Sequence, residues 1–428
     1  MVLLLLFLFS DILCNMLFFL ILFKMVKWLT PEIITPDTTI NAQSGSCVDI
    51  DGNYIIVGAE NSDCIATDAG AAFIIERNKD GTFETKALVQ SETDESSQFG
   101  TAVSISGSYC AVGAARDDCT CTESGRVFLF RRNKDGEWKQ FAILERPSEA
   151  GGPEAGAFFG TSVSLSGSYL AVGSFSDDYL CTNGGEVYIY KIDKDDNVIF
   201  DKLFTSADIP GPVDSDENFG NSVSLSGNYL VVGAPGSDDL CADNGNAYVF
   251  EKDGDGNWGK GIRLVQNPSS IGDGHVFGES VSVSGSYCAV GCPASDSPGG
   301  SDGSVDIFER NKDGDWNRVK TLYVPDEYDG TSVAFGNSVA ISGGYLLVGA
   351  PYTDCTESNS GEVFFYSRDK DGEWNYGGAL SKPSDAVQSG GLFGEIVAIS
   401  DNFAVVGAES IDSPNNESGI AVFYQAEK

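Results

Sequence analysis

Seven times along the chain an aspartate stands five residues beyond a glycine that closes an apolar run: Asp63, Asp118, Asp178, Asp238, Asp296, Asp354 and Asp412. In four of these loops a second acid follows at one spacing, pairing Asp63 with Asp68, Asp118 with Glu123, Asp238 with Asp243 and Asp412 with Glu417. Carboxylate pairs in irregular loops are hard oxygen ligands of the kind calcium accepts. Two acids per loop are few, so calcium is expected to bind no tighter than about 10⁻⁴ M, and no cofactor is required. A structural reading stands beside this one. The aspartate side chain accepts loop amides in an Asx-type turn, and a glycine seven residues further on, Gly70 in the first loop, takes positive φ. Sevenfold repetition favours the turn, because chemistry at one centre needs asymmetry.

Other reactive types are sparse. The single histidine, His275, would have to serve as the base of any triad, and no motif marks a nucleophile for it. No Cys-x-x-Cys pair or His/Cys cluster suggests zinc. Cys110 and Cys288 fall at strand positions where Leu170, Leu230 and Leu346 stand elsewhere, and read as apolar fillers. Cys64, Cys119, Cys121, Cys181, Cys241 and Cys355 share one equivalent loop, where some could pair in an oxidising compartment. Trp138, Trp258, Trp316 and Trp374 recur at one place, with Phe83 substituting once. They read as packing anchors in preference to a sugar-stacking row.

The elements that carry these residues repeat. Phe-Gly recurs at Phe99, Phe159, Phe219, Phe277, Phe335 and Phe393, at intervals of 58 to 60 residues, and Ser44-Gly45 is a worn first copy. Within the unit from Phe99, Val103 and Ile105 alternate with Ser104 and Ser106, a strand period of two. Gly107-Ser108 reads as a two-residue hairpin turn, and Tyr109–Gly113 as a second strand. Arg126–Arg131 is the third strand, Asn133–Gly136 a hairpin connector, and the fourth strand runs from Trp138 to about Leu144. Seven such units point to an all-β, seven-bladed β-propeller of four-stranded antiparallel blades. The seventh unit ends after its third strand, Ile420–Tyr424, while Trp28 and Ile33-Ile34 lie unclaimed at the other end. The ring is therefore expected to be closed by an N-terminal strand.

Lys and Arg total 26 against 63 Asp and Glu, a net charge of −37. Such a surface repels nucleic acid and anionic lipid, and suits cations, basic partners or plain solubility. Residues 1–24 read as a hydrophobic signal or anchor segment and 25–428 as the propeller. A membrane is expected to be met only through residues 1–23, if they are retained. The expected location is extracellular or cell-surface, or cytoplasmic if that segment is untranslated or inverts the anchor.

Phe-Gly followed some fourteen residues later by Gly-Ala-Pro, complete in Gly233-Ala234-Pro235 and Gly349-Ala350-Pro351, resembles the FG-GAP repeat of the integrin α-subunit propeller. That resemblance covers residues 41–428. It implies a binding head that uses the loops of one face. The family's calcium loop between first and second strands has no counterpart here, because Ser106–Tyr109 is too short to enclose an ion. The expectation is a non-enzymatic binding or adhesion module for a protein or glycan ligand, or a cationic surface. Its ligand-binding residues would be the seven loop aspartates together with Asp214, Asp216 and Glu217 of one connector. A carbohydrate-binding propeller is the first alternative and would expose the tryptophans. An enzyme with a site in the central channel is the second, and would require one blade to break the repeat with a cluster of polar residues.

Overall fold

A computed structural model describes residues 27–36, 42–63, 66–88, 90, 95–178, 182–211, 215–238, 241–296, 300, 302–328, 333–354, 357–412 and 418–427. They form seven four-stranded antiparallel sheets, six of them in simple sequence order. Blade 2 is typical: Phe99–Ser106, Tyr109–Ala114, Arg126–Arg132 and Trp138–Leu144. The seventh sheet takes its outer strand, Glu32–Ile34, from the other end of the chain. Ile33 lies opposite Val422, and Ile34 opposite Ala421. The Leu29 N–H donates to the Gln425 carbonyl at 2.8 Å, which extends the seam. Ring closure by the N-terminal strand is thus as the sequence indicates. The hydrophobic segment 1–24 falls wholly outside the described residues. Among those residues no helix is long and apolar enough to cross a membrane.

The core lies between blades. One cluster joins Val57 and Ile75 of blade 1 to Val405 and Phe423 of blade 7, and the other junctions repeat the pattern. A single four-stranded sheet cannot bury its faces alone, so stacking supplies the stability. Cys110 and Cys288 are fully buried in these layers. Each anchor ring meets an aromatic of the preceding blade. Trp138 lies 6.1 Å from Tyr54, Trp316 5.5 Å from Tyr229, Trp374 6.1 Å from Tyr287, and Trp258 5.8 Å from Phe204. These edge-on contacts leave no exposed tryptophan row, which removes the carbohydrate-stacking alternative.

The landmark glycines pack against each other across blades. A Cβ on Gly58 would overlap the carbonyl oxygen of Gly100 in the next blade, and Gly113 meets Gly160 in the same way. On the opposite face, inner-strand side chains bridge each junction. The Gly107 N–H donates to Asp51 at 2.6 Å, Gly167 to Ser106 at 3.1 Å, and Gly52 to Ser400 of blade 7 at 3.4 Å. Ser166, Ser226, Ser284 and Ser342 make the other four bridges, so the circle is complete. The Asn133 carboxamide oxygen accepts from Asp135 and Glu137, at 2.9 and 3.0 Å, as a hairpin connector requires. Three-residue 3₁₀ turns in five connectors, such as Ser206–Asp208, are additions that strand periodicity did not reveal. Thr205 and Asp208 form a capping box there, the local signal for that turn.

Candidate functional site

The inner strands of all seven blades line a central cavity of about 360 Å³. Its side chains lie in tiers, because every second residue of an inner strand faces the axis. At the mouth on the connector side sits the residue that follows each Phe-Gly. Thr101, Thr161, Asn221, Glu279 and Asn337 line the cavity there. Glu395 holds the same place in blade 7. Below them the hydroxyls of Ser162, Ser222 and Ser280 donate to the glycine carbonyls of the next blade at 2.7–2.8 Å. Cys47 makes the same contact to Gly100 at 2.8 Å, a thiol in place of a hydroxyl.

The repeat breaks on blades 1 and 7. Where sister units carry Ala115, Phe175, Pro235, Pro293 and Pro351, blade 1 has Glu60 and blade 7 has Glu409. Where they carry Ser104, Ser164, Ser224 and Ser282, blade 1 has Asp49. Glu395 adds a further acid in blade 7, at the place that Glu279 holds in blade 5.

These groups are electrically unusual. Burial pushes the Glu395 carboxyl up to about 6, and the charge of Glu60 adds to the effect. Its Oε2 is buried without a hydrogen-bond partner among the described residues. Burial also raises Glu60, while a hydrogen bond from Thr101 and the Arg116 guanidinium pull it back down. Glu279, across the channel, is raised by burial and steadied by Asn221. Asp49 is pushed up to about 6 by burial, even though Ile105 N, Ile50 N and the Ser104 hydroxyl all donate to it. Burial outweighs three hydrogen bonds because a charge loses more solvation than such bonds return. The Cys47 thiol lies in the same field and is raised by burial first, then by Glu60.

The loop aspartates predicted from sequence lie elsewhere, in the loops between second and third strands. Asp63, Asp118, Asp178, Asp238 and Asp354 each accept the backbone N–H of the residue five further on, at 2.6–2.8 Å. That residue has positive φ, 48° at Asp68, 52° at Glu123 and 47° at Asp243. In each of those pairs the second acid thus gives its own amide to the first, which is the Asx-type turn. Asp296 and Asp412 occupy the equivalent places, and Glu417 lies outside the described residues. Among the described residues no group of three or more His, Cys, Asp or Glu is placed to hold a metal. In the connector, Asp216 accepts from the Asn183 carboxamide at 2.7 Å, Glu217 is buried, and Asp214 lies outside the described residues. His275 is buried, with Nδ1 2.9 Å from the Ser270 carbonyl, away from the channel acids. Glu60, Glu395, Glu279 and Asp49 were not singled out from sequence. Their signal was misfit to the repeat.

Seven antiparallel blades around a polar, acid-lined channel define a seven-bladed β-propeller. The chain belongs to the FG-GAP repeat family, whose model matches residues 30–75, 82–130, 149–190, 210–250 and 316–366, more than half of the sequence. No curated protein matches it. Among solved structures, a Lactobacillus plantarum protein is similar at 12% identity, covering 78% of this chain and 83% of its own, with a TM-score of 0.48. The periplasmic gluconolactonase PpgL of Pseudomonas aeruginosa is similar at 14% identity, covering 80% and 86%, with a TM-score of 0.47. Likeness at that level is likeness of fold. The expectation of a non-enzymatic adhesion module is corrected: a propeller is a scaffold that hosts many activities, so this architecture does not by itself carry an adhesion role. The physical reason is that the ring is a scaffold, and the features particular to this chain are acids at the channel rather than its repeated outer loops.

Proposed function

We propose that the protein is a hydrolase, with general acid–base chemistry at the connector-side mouth of the central channel. The observation that carries this reading is the Glu60 and Glu395 pair on adjacent blades, each raised by burial and linked through the charge of Glu60. A site near neutral pH needs one carboxyl protonated and one ionised, which environments that differ can arrange. Glu60 has Thr101 and Arg116 to hold its charge and takes the role of base toward a water molecule. Glu395, with no such support and a buried unpartnered oxygen, keeps its proton longer and gives it to the leaving oxygen. The cavity volume of about 360 Å³ suits a small polar substrate. The substrate would be uncharged, since an anion would meet Glu279 and, at the equivalent place in blade 7, Glu395.

The test is turnover of a panel of alkyl esters and alkyl glycosides, whose poor leaving groups need protonation, by the protein, Glu60→Gln and Glu395→Gln. Hydrolysis by the parent that falls about 10²- to 10⁴-fold in each variant supports the assignment. Equal turnover in parent and variants, with folding intact, removes it.

A further inference from the structure

On the opposite face of the ring, blade 2 holds a second cavity of about 330 Å³, lined by Arg131, Arg132, Asn133, Lys134, Lys139, Gln140 and Phe141. Four of its seven lining residues are basic and none is acidic. This is against the trend of a chain in which acids outnumber bases 63 to 26. It is also against the repeat. At the place of Arg131, blades 1, 4 and 5 carry Glu76, Glu251 and Glu309. At the place of Lys139 they carry Glu84, Gly259 and Asn317. Arg132 and Lys134 have basic counterparts in other blades, such as Arg77 and Lys79 in blade 1 and Arg310 and Lys312 in blade 5, but only blade 2 carries all four cations together.

The cations are held in place. The Arg132 guanidinium lies over the Tyr54 ring at 4.3 Å, and Arg131 over Tyr109 at 5.7 Å. Arg131 also pairs with Asp196 of blade 3, and Lys139 with Glu137 at 3.0 Å. Stacking fixes a guanidinium plane while leaving edge N–H groups for an oxyanion, which lowers the entropy lost on binding. The Asn133 to Glu137 connector is pinned by its own hydrogen bonds, so Lys134 rises from a rigid turn. Phe141, 5.8 Å from Tyr109, supplies an apolar wall.

We propose that this groove binds a small ligand bearing two oxyanion groups, such as phosphates or sulfates, by charge-assisted hydrogen bonds from Arg131 and Arg132 and charge from Lys134 and Lys139. Asp196 and Glu137 at the rim compete for the same cations, so the affinity is modest and falls with salt. The acidic surface elsewhere confines such a ligand to this one groove.

The test is calorimetric titration of the protein at low salt with inorganic pyrophosphate and, separately, with a disulfated disaccharide. The variant is Lys134→Glu with Lys139→Glu, both exposed, which leaves the stacked arginines and the blade interface in place. Saturable binding of either probe, weakened at least tenfold in the variant, supports the groove, and the preferred probe tells phosphate from sulfate chemistry. Absence of binding for both probes, or equal binding by the variant, overturns it. Arg131→Gln provides a second check, with a loss of affinity expected.

Discussion

The α-carbon of Gly58 in blade 1 lies against the carbonyl oxygen of Gly100 in blade 2, with no room for a side chain between them. The two glycines belong to the two halves of the repeat signature, one from each neighbour. The signature is therefore an interface written twice, and the spacing between its halves is the path from one junction to the next.

Gly233 meets Gly278 in the same way, backbone against backbone, so neither neighbour can yield as a flexible side chain would. Gly233→Ala is expected to destabilise the protein by more than about 3 kcal/mol. Gly107→Ala is the control, since a Cβ there meets nothing and the cost is only that of a positive φ, about 1 kcal/mol. Chemical denaturation of the two variants measures the difference. Similar losses would show that the close approach does not matter.

Trp28 packs edge-on against Phe365 of blade 6 at 5.3 Å and against Tyr424 at 6.5 Å. Trp28→Ala should cost about 3 kcal/mol and free the closing strand. Hydrogen exchange is the direct readout. Faster exchange at Ile420–Gln425 than in the equivalent strand of blade 4 is expected, and uniform protection would count against the closure's role.

The Asp238 carboxylate accepts the Asp243 amide at 2.6 Å, and Asp243 sits at φ 47°. Asp238→Ala should cost about 1 kcal/mol by orphaning that amide. Asp243→Gly should be neutral or stabilising, because glycine adopts that conformation without strain. Thermal melts that place both variants equally below the parent would contradict the turn.

Isolated carboxyls titrate near 4. In the folded ring Asp49 and Glu395 rise to about 6, so between about pH 4 and 6 the folded state holds more protons than the unfolded chain. Stability then falls as pH rises through that window, and the protein should melt higher at pH 5 than at pH 7. In Asp49→Asn the difference between the two melting temperatures should shrink. A melting temperature that climbs steadily from pH 5 to pH 7 would refute the assignment.

Blade number, strand order and the closing strand were readable because they rest on local signals that recur. Gly107 marks a turn, Val103 and Ile105 a buried face, and Trp28 a missing anchor. The channel acids were harder to see for the opposite reason. A search for what repeats finds Asp238 seven times over and passes by Glu60, whose meaning lies in replacing Pro235 and its sisters. Nor does sequence spacing tell that Glu60 and Glu395 are neighbours, since only ring closure brings blades 1 and 7 together. The basic groove was hidden likewise: Arg131 and Lys139 look like ordinary surface charges until the blade places them around one hollow.

The seam formed by Glu32–Ile34 and Ile420–Gln425 also sets a timetable. On the ribosome, residues 28–34 emerge long before their partner is made. Blades 1 to 6 can each complete themselves during synthesis and stack in order, but the seventh cannot. Until then the flank of blade 1 that carries Val57 and Ile75 has nothing to cover it, and the Glu60 and Glu395 pair does not exist. A truncated nascent chain is thus an open arc with a sticky end, and the acid pair is assembled only as the last act of folding.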